Sequence, residues 1–287
     1  MKREAMGTRR AAKKIGIVAN PHKRNAGRLL TSLRRWLGRR GIAVVDTDRQ
    51  SLEQTLKGSS LVICLGGDGT LLNLSRHVAS RSIPILGVNM GSLGFLTEVK
   101  EQEVFQELDQ FLKGDYVLED RLMLSCTVRN GIGRREHLLT ALNDIVISRE
   151  GLSRLLRLDV RVGAERLTSF AGDGIIISTP TGSTAYSLSA GGAIVHPKVE
   201  ALVVTPICPH ASALRCLVVD QNEKMVVRIL STHGSAKALL TADGQENVEI
   251  DDSYNVEITR SEKKLKLVKS SKRSYFATLR ENFKFPE

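Results

Sequence analysis

The feature that most limits the fold is a short apolar run that ends in a cluster of glycines. Leu61-Val62-Ile63-Cys64-Leu65 has the length of a buried strand, and Gly66-Gly67-Asp68-Gly69-Thr70 follows it directly. An apolar pattern with helical spacing continues from Leu71 to Val78. A buried strand, a glycine-rich turn and a helix form part of a βαβ unit. The sequence therefore predicts a parallel sheet covered by helices.

The rest of the first third repeats this alternation. Apolar runs predict further strands at residues 15–19, 42–45 and 83–88. A helix is predicted around residues 29–37 and closed by Gly41, and another over residues 101–113 that ends at Gly114. This part of the chain is predicted to be an α/β domain.

After residue 120 the pattern changes to short strand-like runs with few helices between them. Turn residues separate most of the runs, which favours a β-rich second domain with antiparallel sheets. A last helix that packs back on the first domain is predicted from Tyr275, Phe276, Leu279 and Phe283. The predicted domains are residues 1–120 with 270–287, and residues 121–269, with the active site in the cleft between them. The strand-like runs after residue 120 are residues 123–128, 138–148, 156–162, 175–178, 217–219, 226–230, 238–242, 254–259 and 265–268.

The composition favours a globular protein that binds anions. Hydrophobic residues make up 41% and charged residues 25% of the 287, with a formal net charge of +11. The basic N-terminal stretch is a polyphosphate or nucleic-acid arm or, as the favoured alternative, a solvated tail. Aromatic residues are only 4%, which leaves few stacking platforms for a nucleic-acid-binding module.

The cysteines and the lack of long apolar segments predict a cytoplasmic protein. The four cysteines are widely spread, which fits a reducing compartment. Cys208, His210 and Cys216 lie close in sequence, but they lack the paired ligand spacing of a zinc site. No apolar run approaches the roughly 18 residues of a membrane span, and the first run is too short for a signal peptide.

Asp68 is the first candidate for chemistry. The carboxyl end of a strand in an open α/β sheet is where ligands bind, and glycines let a phosphate approach the backbone. Asp68 in this turn could accept a proton from an attacking hydroxyl or bind Mg²⁺. The alternative is a glycine-rich turn in which Asp68 caps the helix. Neither a P-loop nor a Gly-x-Gly-x-x-Gly fingerprint is present.

Two further stretches carry polar groups where a ligand could use them. The segment 172–192 runs from Gly172-Asp173-Gly174 through a strand into Thr179-Pro180-Thr181-Gly182-Ser183-Thr184-Ala185-Tyr186. Its hydroxyls, before a helix predicted from about Ser183, could bind a base, a sugar or a phosphate. Asn143-Asp144 lies inside the run 138–148, where ribose hydroxyls would satisfy a buried polar side chain and a bulge or strand-end turn is the alternative.

Taken in order along the chain, these motifs resemble the NAD kinase family. The resemblance includes the stretch Asn89-x-Gly91-x-Leu93-Gly94-Phe95-Leu96 and the segments 191–197 and 206–210, and it spans from about Ile15 to the last helix. The glycine-Asp-glycine motif alone is shared with lipid kinases and phosphofructokinases. A lipid kinase of the same superfamily is therefore the alternative, although it has no use for the hydroxyl-rich loop.

The resemblance implies phosphorylation of NAD at the adenosine 2′-hydroxyl, with ATP or polyphosphate as donor and Mg²⁺ or Mn²⁺. It implies that Asp68 accepts the proton and that a homodimer or homotetramer forms, in which one subunit's second domain completes its neighbour's pocket. Two residues depart from the usual pattern: Asp144 replaces a Glu, and Ala171 a larger polar or basic residue. The phosphate-binding turn would be Gly66, Gly67, Gly69 and Thr70. The implied NAD-binding residues are Asp68, Gly69, Phe95, Asn143, Asp144, Arg154, Asp173, Thr181, Thr184, Ala185, Tyr186, Ser187, Leu188, Ser189, Cys208 and Gln245.

Overall fold

A computed structural model describes residues 14–149, 155–210, 213–231 and 237–284. The chain divides into two compact units: a first unit, up to residue 120 and again from 265 onward, and a second unit, residues 121–264. Within the described ranges, no helix is both long and apolar enough to cross a membrane. The helices are α1 Ala26–Gly38, α2 Leu52–Leu56, α3 Asp68–Ala79, α4 Val104–Lys113, α5 Tyr186–Ser189 and α6 Tyr275–Phe283.

The strands are numbered in the same way, in chain order. Those before residue 130 are β1 Lys14–Ala19, β2 Ala43–Asp46, β3 Leu61–Gly66, β4 Ile85–Asn89, β5 Val99–Lys100, β6 Leu118–Arg121 and β7 Leu124–Arg129. Then follow β8 Arg135–Ala141, β9 Asp144–Arg149, β10 Leu156–Val162, β11 Glu165–Gly172, β12 Gly174–Ser178 and β13 Ala201–Ile207. The last are β14 Leu217–Asp220, β15 Met225–Ile229, β16 Ala238–Ala242, β17 Glu246–Ile250, β18 Asn255–Arg260 and β19 Leu265–Val268.

The first unit is the predicted α/β domain with a mostly parallel sheet. Its strand order is β2-β1-β3-β4-β19-β6, with β5 also on β4, and the pairs from β2 to β19 are parallel. The buried strand β3 lies inside this sheet, as its continuous apolar sequence predicts. Helix α1 buries Leu29, Leu30 and Leu33 in the same core. Helix α4 ends at Gly114, whose φ of +82° is the left-handed conformation that glycine adopts easily.

The C-terminal segment joins the first unit from residue 265, and not from residue 270 as predicted. Strand β19 was assigned to the second domain, but Leu267 pairs in parallel with Ile85 of β4, and the division between the units falls after residue 264. Helix α6 packs on the first unit as predicted: the Phe95 ring centroid lies 6.3 Å from that of Tyr275 and 5.6 Å from that of Phe283.

The second unit is the predicted β-rich domain, built from two antiparallel sheets. Their orders are β11-β10-β15-β18-β7-β8 and β14-β13-β12-β9-β16-β17, and apolar residues of both sheets form one core. Strands β11, β13 and β17 were not predicted from the sequence. Pro206 within β13 argues against a central strand, yet it lies opposite Ile175 of β12. Strand β17 is mostly polar because it is an exposed edge.

The run 138–148, predicted as one strand, is two. Strand β8 ends at Ala141 and β9 begins at Asp144, with a bend at Leu142 and Asn143. The two strands belong to different sheets, so the bend carries the chain from one sheet to the other. Asn143-Asp144 therefore lies at this bend, and the strand-interior placement was wrong.

Candidate active site

Asp68 is the first residue of α3, directly after strand β3. The helix cap is Gly67, and Asp68 makes no capping hydrogen bond, so the simple capping alternative is wrong. The glycines around it differ in role. A Cβ at Gly66 would lie 2.5 Å from Thr70 Oγ1, whereas Cβ atoms at Gly67 and Gly69 would meet nothing within 4 Å. Gly66 thus allows close packing inside the turn, and the other two glycines leave open space beside Asp68.

The Asp68 carboxylate is held by the loop that follows β4. Phe95 N donates to Oδ2 at 2.8 Å, and Thr97 donates to Oδ1 through N at 2.9 Å and Oγ1 at 2.8 Å. Leu96 N adds longer contacts of 3.2 and 3.3 Å to the two oxygens. The same loop comes close at Gly94, where a Cβ would lie 2.1 Å from Asp68 Oδ1. The side chain is therefore fixed in one orientation before any substrate binds.

Phe95, expected to flank the adenine, is half-buried beside α6. Its backbone N–H contacts Asp68 while its ring packs against Tyr275 and Phe283. The aromatic residues of α6 thereby stabilise the loop that binds the Asp68 carboxylate. Contact between this ring and an adenine stays a prediction.

The Asn143-Asp144 bend is clamped from two sides. The Asp243 carboxylate accepts from the N–H groups of Leu142, Asn143 and Asp144, at 2.9, 2.7 and 3.2 Å. From the other side, Thr179 donates its hydroxyl to Leu142 O at 2.6 Å and its N–H to Asn143 O at 2.9 Å. These bonds satisfy the backbone of the bend, so its side chains remain available to a ligand.

Asp144 is buried without a donor. The residue is 5% exposed, and across the described ranges its carboxylate has no hydrogen-bond partner. Ser178, opposite it on β12, is fully buried, and its hydroxyl is also unsatisfied there. Burial, with the nearby charge of Asp243, raises the pKa of Asp144 to about 7. A buried acceptor beside an unused hydroxyl is the environment expected where a polar ligand completes the hydrogen bonding.

Asp173 lies at the opposite end of this sheet. Asp144 pairs with Ser178 at one end of β12, whereas Asp173 precedes Gly174 at the other end, roughly 17 Å further along the strand. Its carboxylate forms an ion pair with Arg149 Nε at 2.7 Å. A Cβ on the glycine before or after Asp173 would lie 2.9 and 2.2 Å from neighbouring strand carbonyls, so packing alone explains both glycines.

The hydroxyl-rich loop packs against the same sheet. It forms a 3-10 turn at Gly182–Thr184 and the four-residue helix α5, which begins at Tyr186 and not at about Ser183 as predicted. Ser187 is buried against Thr205, with 2.8 Å between the hydroxyl oxygens, so its side chain stabilises the loop. A Cβ at Gly182 would lie 2.1 Å from Asn143 O, which places the start of the loop against the bend.

The other predicted site residues divide between the two ends of β12. Gln245 follows Asp243-Gly244 in the turn between β16 and β17, and it lies with Thr181 at the Asp144 end. Cys208 follows β13 at the Asp173 end, with a φ of +44°. Tyr186 is 47% exposed; Thr184 and Leu188 are partly exposed, as is Ala185, and Ser189 is exposed. Arg154 and the N-terminal arm lie outside the described residues.

The groups that hold the Asp68 carboxylate and the backbone of the Asn143-Asp144 bend were not predicted from the sequence. Thr97 and Gly94 contact Asp68, and Asp243 holds the bend at Asn143. One signal was available: Asp243-Gly244 between two alternating runs is a strong indication of a β-hairpin, and both residues have a positive φ. Among the described residues, no three His, Cys, Asp or Glu side chains cluster as metal ligands.

Comparison with solved structures gives the class of protein. The fold matches that of yeast NADH kinase complexed with NADH, with a TM-score of 0.86 and 24% identity over 96% of this chain and 88% of that chain. The match to an NAD kinase from Archaeoglobus fulgidus in complex with ATP has a TM-score of 0.74 and 25% identity. It covers 93% of this chain and 99% of that chain. This chain thus shares its fold with an NADH kinase and an NAD kinase.

Sequence comparison then gives the family. The ATP-NAD kinase N-terminal domain matches residues 46–116, and the ATP-NAD kinase C-terminal domain matches residues 142–270. The NAD kinase of Geotalea daltonii is 40% identical over 96% of this chain and 99% of its own length. The NAD kinase of Syntrophotalea carbinolica is 41% identical over 93% of this chain and 97% of its own length. The chain belongs to the NAD kinase family, and the resemblance found in its motifs is confirmed.

Proposed function

We infer that this chain catalyses the reaction of its family, the phosphorylation of NAD at the adenosine 2′-hydroxyl to give NADP, with ATP as donor. The observation that carries this function is the fixed carboxylate of Asp68, beside the open glycines Gly67 and Gly69 at the carboxyl end of β3. The lipid-kinase alternative is not supported, because the matching family models and relatives are NAD kinases.

Asp68 acts as the general base. The 2′-hydroxyl donates to Asp68 Oδ2, which accepts one short hydrogen bond in the structure while Oδ1 accepts two. A carboxylate has about four acceptor positions, so Oδ2 retains room for the substrate. As the hydroxyl oxygen attacks the terminal phosphorus of ATP, the bond from that phosphorus to the bridging oxygen breaks, ADP leaves, and the hydroxyl proton passes to Asp68. Phosphoryl transfer requires mainly such positioning and charge stabilisation.

The bend and the hydroxyl-rich loop of the second unit bind NAD. The Asn143 amide accepts a hydrogen bond from a sugar hydroxyl or donates one to it, and a ribose hydroxyl donates to the Asp144 carboxylate, which lacks a donor. Thr181, Gln245 and the stretch from Thr184 to Ser189 contribute at this end of the sheet. Asp173 and Cys208, at the far end, bind a different part of a dinucleotide or a dinucleotide held by a second subunit, in line with the homo-oligomer that the family resemblance implies.

A divalent metal enters with the donor. Since the described residues offer no cluster of three metal ligands, a protein cage for the ion does not fit the structure. Mg²⁺ bound to ATP needs few or no protein ligands, because phosphate oxygens and water fill its octahedral shell. When bound, the ion neutralises charge on the transferring phosphate. Homo-oligomerisation and a cytoplasmic location stay predictions.

The test is direct. Purified protein is incubated with NAD, ATP and MgCl₂, and NADP is measured with an NADP-specific dehydrogenase. Parallel reactions replace ATP by polyphosphate, Mg²⁺ by Mn²⁺ and NAD by NADH. We expect ATP- and metal-dependent formation of NADP. Folded protein that yields no NADP with any donor would contradict the proposal.

A further inference from the structure

Thr97 is placed to control the orientation of Asp68. It is fully buried and gives Asp68 Oδ1 two of its hydrogen bonds, from N at 2.9 Å and from Oγ1 at 2.8 Å. The backbone bond depends only on the course of the chain. The hydroxyl bond depends on the side chain, so it can be removed without altering the loop.

The direction of that hydroxyl bond follows from Asn89. Asn89 Nδ2 lies 3.0 Å from Thr97 Oγ1, and an amide nitrogen can only donate. The Thr97 oxygen is therefore the acceptor in this contact, and its own proton remains for Asp68 Oδ1. The hydrogen bonds run in one direction, from Asn89 to Thr97 to Asp68.

The Asn89 side chain is itself fixed. Its Oδ1 accepts from Gly91 N at 2.7 Å, and its Nδ2 also donates to Ser92 O. An inverted amide would place a donor against Gly91 N and an acceptor against Ser92 O, so only one orientation satisfies both contacts. Asn89 is 6% exposed and Thr97 is fully buried, so water has little access to replace either bond.

We propose that Thr97, oriented by Asn89, is a positioning residue that fixes Asp68 Oδ1 and leaves Oδ2 directed at the substrate hydroxyl. This inference rests on the proposed role of Asp68 as base. Thr97 does not touch the substrate in this scheme; it determines which carboxylate oxygen is available. Loss of its hydroxyl removes one short hydrogen bond from Oδ1 and leaves the carboxylate to the backbone N–H groups of Phe95, Leu96 and Thr97. The attacking geometry is then held less firmly, which lowers turnover more than NAD binding.

The experiment compares four variants, together with Asp68→Asn as a test of the base itself, by kcat, KM and NAD dissociation constant at saturating Mg-ATP. Thr97→Val removes the hydroxyl, and Thr97→Ser retains it. Asn89→Asp replaces the donor by an acceptor, which draws the Thr97 proton away from Asp68. Thr55→Val is the matched control: Thr55 is also a fully buried threonine of the first unit, but its hydroxyl donates to Ser51 O.

We expect Thr97→Val to lower kcat roughly ten-fold while the NAD dissociation constant changes less than about two-fold. Thr97→Ser should keep most of the wild-type kcat, because it retains the hydroxyl. Asn89→Asp should lower kcat at least as much as Thr97→Val does. Thr55→Val should keep the wild-type kcat. If Thr97→Val does not fold, Asn89→Asp and Thr97→Ser carry the test. Normal kcat in both Thr97→Val and Asn89→Asp, with Asp68→Asn inactive, overturns the positioning role alone. Normal kcat in Asp68→Asn overturns the proposed base as well.

Discussion

Asp68 and Asp144 are two carboxylates in opposite surroundings. Asp68 accepts hydrogen bonds from three consecutive residues and is half-buried, whereas Asp144 is buried and finds no donor among the described residues. The loop after β4 fixes the orientation of the Asp68 carboxylate before any ligand binds. At Asp144 the protein fixes only the backbone, through Asp243 and Thr179, and leaves the side chain unsatisfied. The contrast suggests that chemistry uses the prepared carboxylate and that recognition uses the incomplete one.

The largest effect is expected for Asp68→Asn. The amide cannot accept the substrate proton, and its NH₂ group would face the N–H groups of Phe95 or Thr97. We expect kcat to fall about 10²-fold or more, with a much smaller change in NAD affinity, measured by steady-state kinetics and calorimetry. The exposed Asp115→Asn is the control in the same unit. Near-normal kcat in Asp68→Asn would remove Asp68 from the chemistry.

The second effect tests the loop that prepares Asp68. In Gly94→Ala the new Cβ would lie 2.1 Å from Asp68 Oδ1, so either the loop or the carboxylate must move. A shift of about 1 Å at a reacting group costs up to roughly 10²-fold, and we expect a ten- to hundred-fold loss of kcat. Gly91→Ala is the control in the same loop, since its Cβ would meet only the flexible Lys23 Nζ at 3.4 Å. Equal activities for the two variants would show that Asp68 does not need this fixed position.

The third effect tests recognition. Asp144→Ala leaves a ribose hydroxyl unpaired, and we expect a loss in kcat/KM of about 1–2 kcal/mol, roughly five- to thirty-fold. Asp144→Glu retains the acceptor and should lose less, although the buried position must admit an extra methylene. Comparison of the three proteins under identical NAD and ATP concentrations gives the ranking. An Ala variant that matches the wild type would mean that Asp144 does not contact the nucleotide.

The position of Asp68 could be predicted from the sequence, whereas the residues that hold Asp68 and the Asn143-Asp144 bend could not. The strand β3, the turn and α3 are adjacent in the chain, so local apolar patterns and glycines were enough to place Asp68. Thr97 lies 29 residues further on, and Asp243 lies 100 residues from Asn143. Such contacts arise only when strands pair, and no local pattern encodes them. The break of the run 138–148 at Leu142 was missed for the same reason, since a distant turn holds the bend.

Strand β19 gives the same lesson for domain organisation. Its apolar run predicted a strand at the correct residues, but the pattern could not reveal its partner. Because it follows the β-rich region in the chain, it was assigned there, yet it pairs with β4 of the first unit. Strand existence follows from local sequence, whereas sheet membership depends on long-range pairing.

The smallest effect concerns the pH dependence of stability that Asp144 introduces. Its pKa is raised from 3.8 to about 7 in the folded protein, so between these values the folded state binds the proton that the unfolded state has released. Stability from this group is therefore fully present below about pH 3.8 and is lost as pH rises through 7. Asp144→Asn removes the titration and keeps the shape. The free energy of unfolding of the variant, relative to wild type, should increase by roughly 1–2 kcal/mol from pH 6 to pH 8.

Urea unfolding of both proteins at several pH values, without nucleotide, measures this difference. The exposed Asp252→Asn in the same unit is the control and should show no comparable increase. The same comparison with NAD present separates the two states of the site, because a ribose hydroxyl that donates to the ionised carboxylate would reduce the loss at pH 8. A relative stability of Asp144→Asn that stays constant from pH 6 to pH 8 would show that Asp144 is already satisfied in the free protein, and the contrast with Asp68 would no longer hold.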